Sequence, residues 1–381
     1  MYKQLLAVLA LALIFSAPTQ AQTPRQVWAY YFGWWLNESW DDPILTDTPA
    51  ERYDSRDSGA FGRHIDQAKG AGIDAFILAW FGPNNLTNDS FNALLDQAAA
   101  RDFKIGVSVD LFQSDYNASI EAVTQTLLYL NDRVQHGAYL RYDGKPVVYF
   151  WNQGRFNRAQ WQSIRDQVDP ARSQIWVMEG TNTAYLGVFD GLYLFNTAWA
   201  ANPTATAATW ATRTRNAGGT FYTPTVLPGW DETNIARRDG RRNPTATRPR
   251  NQGDYLTRSW NGAAATGTNV ILIVSWNEYY ENSHIEPSVT YGTQALDVLR
   301  PLIAAWESQT PAPIVGNNGV TSGVEAWTTV NVRQAPNTDS AILGKIAPGT
   351  IYEILGQEGG WYRIRFNGAE GFVSAGYVQI R

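Results

Sequence analysis

Three carboxylates and three large aromatics fall within eleven residues, Trp276 to Glu286, in the stretch Ser275-Trp276-Asn277-Glu278-Tyr279-Tyr280-Glu281-Asn282-Ser283-His284-Ile285-Glu286-Pro287. An apolar run, 269–274, precedes them and reads as a buried strand. Uncompensated charge is rarely buried, so acids directly behind a core strand are either solvated or kept for chemistry. Glu278 and Glu281 are three positions apart. On a helical turn their Cβ atoms would lie roughly 5–6 Å from each other. Two carboxyls at such a separation are the minimum equipment for cleaving a glycosidic bond: one protonates the leaving oxygen, the other works on the anomeric side. The same acids would also suit a helix N-terminus, whose dipole favours them. The elements around them must decide.

Eight near-continuous apolar runs read as strands, at 27–32, 74–80, 104–109, 146–150, 174–178, 191–195, 219–227 and 269–274. Helical periodicity appears between most of them, at 61–70, 91–101, 119–134, 161–168, 204–217 and, after the last, 293–306. Apolar strands alternating with helices indicate an α/β parallel sheet covered on both faces. Eight units predict a (β/α)8 TIM barrel. The competing arrangement is an open doubly wound sheet, but no Gly-rich phosphate loop follows the first strand. In a barrel the active site lies at the C-terminal strand ends. Those ends carry Tyr30-Tyr31, Trp80-Phe81, Asp110, Trp151-Asn152, Glu179, Asn196, Trp230-Asp231 and the Glu278/Glu281 pair. Flat aromatic faces beside polar groups suit a sugar, which has an apolar C–H face and a polar rim.

The 381 residues are 44% hydrophobic and only 17% charged, with net charge −5, so no nucleic-acid footprint is present. Residues 1–21 read as a signal peptide, with Lys3, an apolar core and a small-residue cleavage site. A secreted protein is expected, extracellular, cell-wall associated or periplasmic. The chain has no cysteine, hence no disulfide, thiolate metal site or lipid-anchored Cys. No run reaches the ~20 apolar residues of a membrane span. The three histidines, His64, His136 and His284, are too few and scattered for a three-His zinc site, so neither metal nor cofactor is expected. The catalytic domain is expected over 22–306. A Pro/Gly/Asn/Ser/Thr-rich linker follows at 307–323, then a small all-β barrel at 324–381. A basic run, 237–250, reads as a solvated loop or as a lid gripping an anionic sugar.

The Asn277-Glu278-Tyr279-Tyr280-Glu281 stretch with Ile285-Glu286-Pro287 resembles the signature of glycoside hydrolase family 99, the endo-α-1,2-mannosidases and mannanases. Tyr30-Tyr31 with Trp34, Tyr53-Asp54-Ser55-Arg56-Asp57, Trp80-Phe81-Gly82-Pro83 and Pro228-Gly229-Trp230-Asp231-Glu232-Thr233 are similar to other segments of that family, in the same order. Tyr279-Tyr280 stands where the mannosidases usually have Trp-His, which leaves the sugar open. The resemblance implies a retaining, endo-acting glycosidase in which the sugar's own 2-hydroxyl attacks the anomeric carbon to give a 1,2-anhydro sugar. Glu278 would be the base on that hydroxyl and Glu281 the acid and then the base. Trp80 and Trp230 are expected as sugar platforms, and Tyr31, Asp110, Asn277 and Glu286 as hydrogen-bonding groups around the substrate. The tail, with Val330-Asn331-Val332-Arg333, Gly360-Trp361-Tyr362 and Gly371-Phe372-Val373, resembles a bacterial SH3 domain, which implies a cell-wall or peptide ligand for 324–381. Two other readings use the same features: a non-catalytic binder of carbohydrate or cell wall through the same cleft, and a peptidoglycan-directed hydrolase.

Overall fold

The computed structural model describes residues 24–111, 119–241, 244–308, 323–326, 329–347, 351–358, 360–366 and 369–380. The expected leader, 1–21, and most of the expected linker lie outside them. Eight parallel strands form a ring: β1 (Gln26–Tyr31), β2 (Ala75–Trp80), β3 (Lys104–Asp110), β4 (Lys145–Trp151), β5 (Ile175–Glu179), β6 (Gly191–Tyr193), β7 and β8 (Val270–Ile273). Strand β7 has two arms, Phe221–Thr223 and Thr225–Val226. The first arm pairs with β6 and the second with β8, which pairs with β1, so the ring closes. Pro224 stands between the arms and has no N–H for a ladder, though its carbonyl accepts from Leu272 N at 3.0 Å.

Helices follow most strands: α1 (Ser58–Gly70), α2 (Leu86–Ala99), α3 (Ile120–Arg133), α4 (Arg158–Val168), α5 (Pro203–Asn216), α6 (Thr233–Arg238), α7 (Asp254–Ala264) and α8 (Gln294–Ser308). Their starts are set by local chemistry. Asp57, Asn85, Ser119, Asn157 and Asn202 each accept from a first-turn backbone N–H. Strand β5 is followed only by a short 3-10 turn, Thr183–Tyr185. The reading of 237–250 as one loop gives way at its start, because α6 runs into it as far as Arg238.

The strand alternation sorts side chains into two cores. Trp28, Tyr30 and Phe32 point into the ring with Tyr149, Tyr193 and Phe195. Val27, Ala29 and Tyr31 point outward, against Phe61, Ile65 and Phe91 of the helices. Aromatic rings fill the ring interior: Trp28 stacks on Phe221 at 6.1 Å and meets Tyr149 edge-on at 6.2 Å. Much of the aromatic content is therefore packing. The tail is a separate antiparallel sheet of β9 (Gly323–Ala326), β10 (Val330–Arg333), β11 (Ile342–Ile346), β12 (Ile351–Glu358), β13 (Trp361–Phe366), β14 (Ala369–Ser374) and β15 (Val378–Ile380). It is ordered β11-β10-β14-β13-β12-β9-β15 around a small core of Val332, Ile346, Ile364 and Val373, an SH3-like arrangement.

Candidate active site

Past Ile273 the chain does not turn into a helix. It folds back on itself as a braced loop. Trp276 N donates to Tyr30 O at 2.7 Å, which ties the loop to β1. Ser275 N donates to Ser283 O at 2.8 Å, Ile285 N to Ser275 O at 3.0 Å and Glu286 N to Trp276 O at 2.9 Å. Ser275 Oγ accepts from Glu278 N at 2.7 Å. Asn277 imitates a strand partner: its Oδ1 accepts from Phe32 N at 2.7 Å and its Nδ2 donates to Phe32 O at 2.8 Å and Tyr53 OH at 2.9 Å. Glu286 is buried behind the loop, where Tyr279 OH donates to it at 3.0 Å and Tyr53 OH at 3.4 Å, with His64 Nε2 2.9 Å away. His284 stacks on Tyr279 at 4.1 Å and meets Asp47 at 3.0 Å. The two acids are therefore three positions apart on a folded-back loop and not on a helical turn. Both Glu278 and Glu281 open onto one cavity.

That cavity has a volume of about 510 Å³ and sits over the C-terminal ends of the ring. Glu278, Tyr280 and Glu281 form one side; Tyr30, Phe32 and Trp34 after β1, and Phe81 after β2, form another. Asp110, Trp151 and Phe195 come from the ends of β3, β4 and β6, and Ile235 and Arg238 from α6. Trp34 and Phe81 stack at 5.7 Å with planes 8° apart, giving the cavity a flat aromatic wall. Tyr280 is fixed by stacking on Trp35 at 5.1 Å and by donating to Asp42 at 3.2 Å.

The two acids differ in surroundings. Burial pushes the Glu278 carboxyl above the usual carboxylate range, and the backbone N–H groups of Tyr280 and Glu281 pull it back. Tyr280 N reaches Glu278 Oε1 at 2.9 Å. Burial raises Glu281 well above that range, the charges of Glu278 and Glu232 raise it further, and Arg241 opposes them. Glu281 Oε2 is shielded from solvent and has no hydrogen-bond partner among the described residues. A carboxyl so placed holds its proton, because a bare charge there would lack both water and donors. Among the described residues no group of three or more His, Asp or Glu is arranged to hold a metal ion.

Of the residues expected around the acids, Asp110 reaches the cavity. Five others do not line it. Tyr31 faces the helices and its OH meets His64 Nδ1 at 2.8 Å. Trp80 is buried, donates from Nε1 to Asn88 at 3.3 Å and stacks on Tyr129 at 6.2 Å. Trp230 is buried edge-on to Phe195, behind the wall. Asn277 and Glu286 brace the acid loop from behind. For Tyr31 and Trp80 the reason is strand geometry: one step along a strand changes face, so Tyr30 and Phe81 line the cavity in their place. Trp34, Ile235 and Arg238 lie in loops or a short helix, with no such pattern to give them away.

Residues 41–301 match the model of glycosyl hydrolase family 99, and residues 328–379 match the bacterial SH3 domain. The chain belongs to glycosyl hydrolase family 99. Among curated proteins it is similar to a mouse glycoprotein endo-alpha-1,2-mannosidase-like protein, 23% identical over 262 residues, covering 62% of this chain and 56% of that one. It is also similar to the mouse glycoprotein endo-alpha-1,2-mannosidase, 22% identical over 318 residues, covering 68% and 67%. The chain thus spans little more than half the length of the first of these relatives. A family 99 endo-alpha-mannosidase from Bacteroides thetaiotaomicron superposes with TM-score 0.65 at 22% identity, covering 75% of this chain and 98% of that one, which shows a shared barrel fold. The segments that carried the family 99 resemblance meet in space. Tyr53 touches Asn277 and Glu286, and Asp231 N donates to Glu281 O at 2.9 Å.

Proposed function

We propose that this family 99 protein is a retaining, endo-acting glycoside hydrolase of α-mannoside-type glycans, with Glu278 as base and Glu281 as acid. The observation that carries the reading is the pair of carboxyls on one cavity wall, one supplied with a backbone donor and the other with a buried Oε2 that has no hydrogen-bond partner among the described residues. Glu278, the better stabilised anion, takes the proton from the substrate 2-hydroxyl. O2 then forms a bond to C1 as the glycosidic C1–O bond breaks, and Glu281 delivers its proton to the departing oxygen. In the second half Glu281, now a carboxylate, takes a proton from water as the water oxygen attacks C1. The C1–O2 bond breaks and Glu278 returns its proton to O2. Two inversions at C1 leave the configuration retained. The route needs O2 anti to the leaving oxygen, which α-mannosides supply because both are axial. The Trp34–Phe81 wall offers a face for the sugar C–H surface. The leader-like 1–21 supports export, and the SH3-like tail supports docking to cell-wall or peptide material.

The test is cleavage of α-1,2-linked manno-oligosaccharides followed by proton NMR. The α-anomer released first, before mutarotation, is the expected result. First release of the β-anomer, or no cleavage across α-linked mannans, would reject the reading.

A further inference from the structure

The basic run 237–250 is divided between two cavities. Arg238 joins the wall of the acid cavity, while Arg248 and Arg250 line a second cavity of about 470 Å³. Trp230 and Asp231 form the partition between them. Trp230 lines the second cavity and packs edge-on against Phe195 of the first, at 6.3 Å, while Asp231 N donates to Glu281 O. Arg238 and Arg241 of the same run pair with Asp239 at 2.9 Å and Glu232 at 2.7 Å. Arg248 and Arg250 bond backbone carbonyls instead. Arg248 donates to Thr247 O at 3.1 Å and Ala200 O at 3.2 Å. Arg250 donates to Asn282 O at 3.1 Å and His284 O at 2.7 Å, with its guanidinium 4.1 Å from the Tyr291 ring centre. Carbonyls satisfy N–H groups without cancelling charge. Burial pulls the Arg250 guanidinium down to about 10, as expected for a cation lacking a full counter-charge. Asp231 is the carboxylate in this wall, and its Oδ1 accepts from Thr233 N at 3.0 Å. Asp47, near Arg250, is already engaged by His284 at 3.0 Å and Thr290 N at 2.9 Å. The cavity wall also contains three side-chain-bearing residues in left-handed backbone, Asn251 (φ 46°), Gln252 (φ 54°) and Asn282 (φ 53°). Such conformations cost energy and gather at ligand sites.

We propose that the second cavity is an oxyanion subsite, which binds the carboxylate or phosphate ester of an acidic sugar on the glycan. Arg248 and Arg250 have no carboxylate ion pair among the described residues, and such guanidinium groups match an oxyanion in charge and geometry. The preferred substrate would then be an α-mannoside-type glycan that also carries acidic groups, with neutral manno-oligosaccharides cleaved but held more weakly. This last step rests on the hydrolase reading; the binding of the oxyanion does not.

Titration calorimetry of the full chain with glucuronate, mannose 6-phosphate and methyl α-mannoside tests it. At least one acidic sugar is expected to bind about tenfold or more tighter than the neutral glycoside, the range of a charge-assisted hydrogen bond, and to weaken with salt. Arg248→Gln should remove that preference, Arg248→Lys should keep most of it, and Arg238→Gln and Glu281→Gln should leave it unchanged. A preference for glucuronate identifies uronic acid units; a preference for mannose 6-phosphate identifies phosphate esters. Equal binding of the neutral glycoside by wild type overturns the proposal, and so does a preference lost in Arg238→Gln but kept in Arg248→Gln. Acidic-sugar binding without any glycan cleavage would leave the subsite standing and remove the hydrolase.

Discussion

Glu278 and Glu281 come from one loop and burial raises both, but their neighbours set them apart: backbone N–H groups hold Glu278 down while carboxylate charge drives Glu281 higher. Glu278 has the N–H of Tyr280 at 2.9 Å; Glu281 has an Oε2 without a partner among the described residues and the charges of Glu278 and Glu232 acting on it. Separating the proton affinities of two nearby carboxyls is how one site runs acid and base chemistry together. The arrangement has a cost that depends on pH. Glu281 is raised in the folded state above its unfolded value, so its stabilising contribution is complete below the unfolded pKa and is lost as pH rises through the folded pKa. Replacing it with a neutral isostere removes that loss. Glu281→Gln should therefore melt higher than wild type at pH 8 and at the same temperature near pH 4. A rise of a few degrees is expected, since about 1 kcal/mol moves the midpoint of a domain this size by ~2–4 °C. Thermal unfolding at both pH values checks this, and a lower midpoint at pH 8 would speak against a strained acid.

At the scale of the element, the acid loop is held by side chains that imitate backbone. Asn277 satisfies both the N–H and the carbonyl of Phe32. Asn277→Ala strands two buried backbone groups, each costing about 1–3 kcal/mol. It should lower stability by about 2–6 kcal/mol and reduce kcat more than it raises KM, because neither acid loses a substrate contact directly. Urea unfolding and steady-state kinetics measure both; an unchanged midpoint would show that the brace is dispensable. The strands were legible in the sequence because strands covered on both faces are written as unbroken apolar runs. The same property hid which face each residue takes, since an apolar run lacks the alternation that would mark it. Hence Tyr31 and Trp80 were expected where Tyr30 and Phe81 stand. Trp230 escaped for another reason: a tryptophan beside an acid reads alike whether it cradles a sugar or packs behind the wall. Helix α6 is short and ends in arginines, so its last turn was legible only as loop.

For the whole molecule, among the described residues the two barrel cores contain none beyond Trp306, and the small core of the tail runs from Val324 to Val378. Each buries its own apolar face, as independent folding units do. A chain ending at residue 308 should fold and keep kcat/KM on soluble oligosaccharides within about twofold, since every described side chain that lines the acid cavity precedes that point. It should also lose retention on insoluble wall material. Circular dichroism, kinetics and a sedimentation assay separate these outcomes, and an unfolded truncated barrel would show the tail to be structural. The domain texture was plain in the sequence because a Pro/Gly-rich stretch and a change from long to short apolar runs bracket it. The division of the basic run between two cavities was not, since it depends on which carbonyls and carboxylates the folded chain brings to each arginine.

The most direct measurement is a comparison of Glu278→Gln and Glu281→Gln on an α-mannobiosyl fluoride and on the matching oligosaccharide. Fluoride leaves without a proton, so only the base is needed for its departure. Glu281→Gln should lose about 10²–10⁴-fold on the oligosaccharide, the usual scale of general acid catalysis, yet release fluoride at a rate close to wild type. Glu278→Gln should be crippled on both. Equal losses on the two substrates for both variants, or wild-type turnover of the oligosaccharide by either, would contradict a shared sugar ring worked by these two acids.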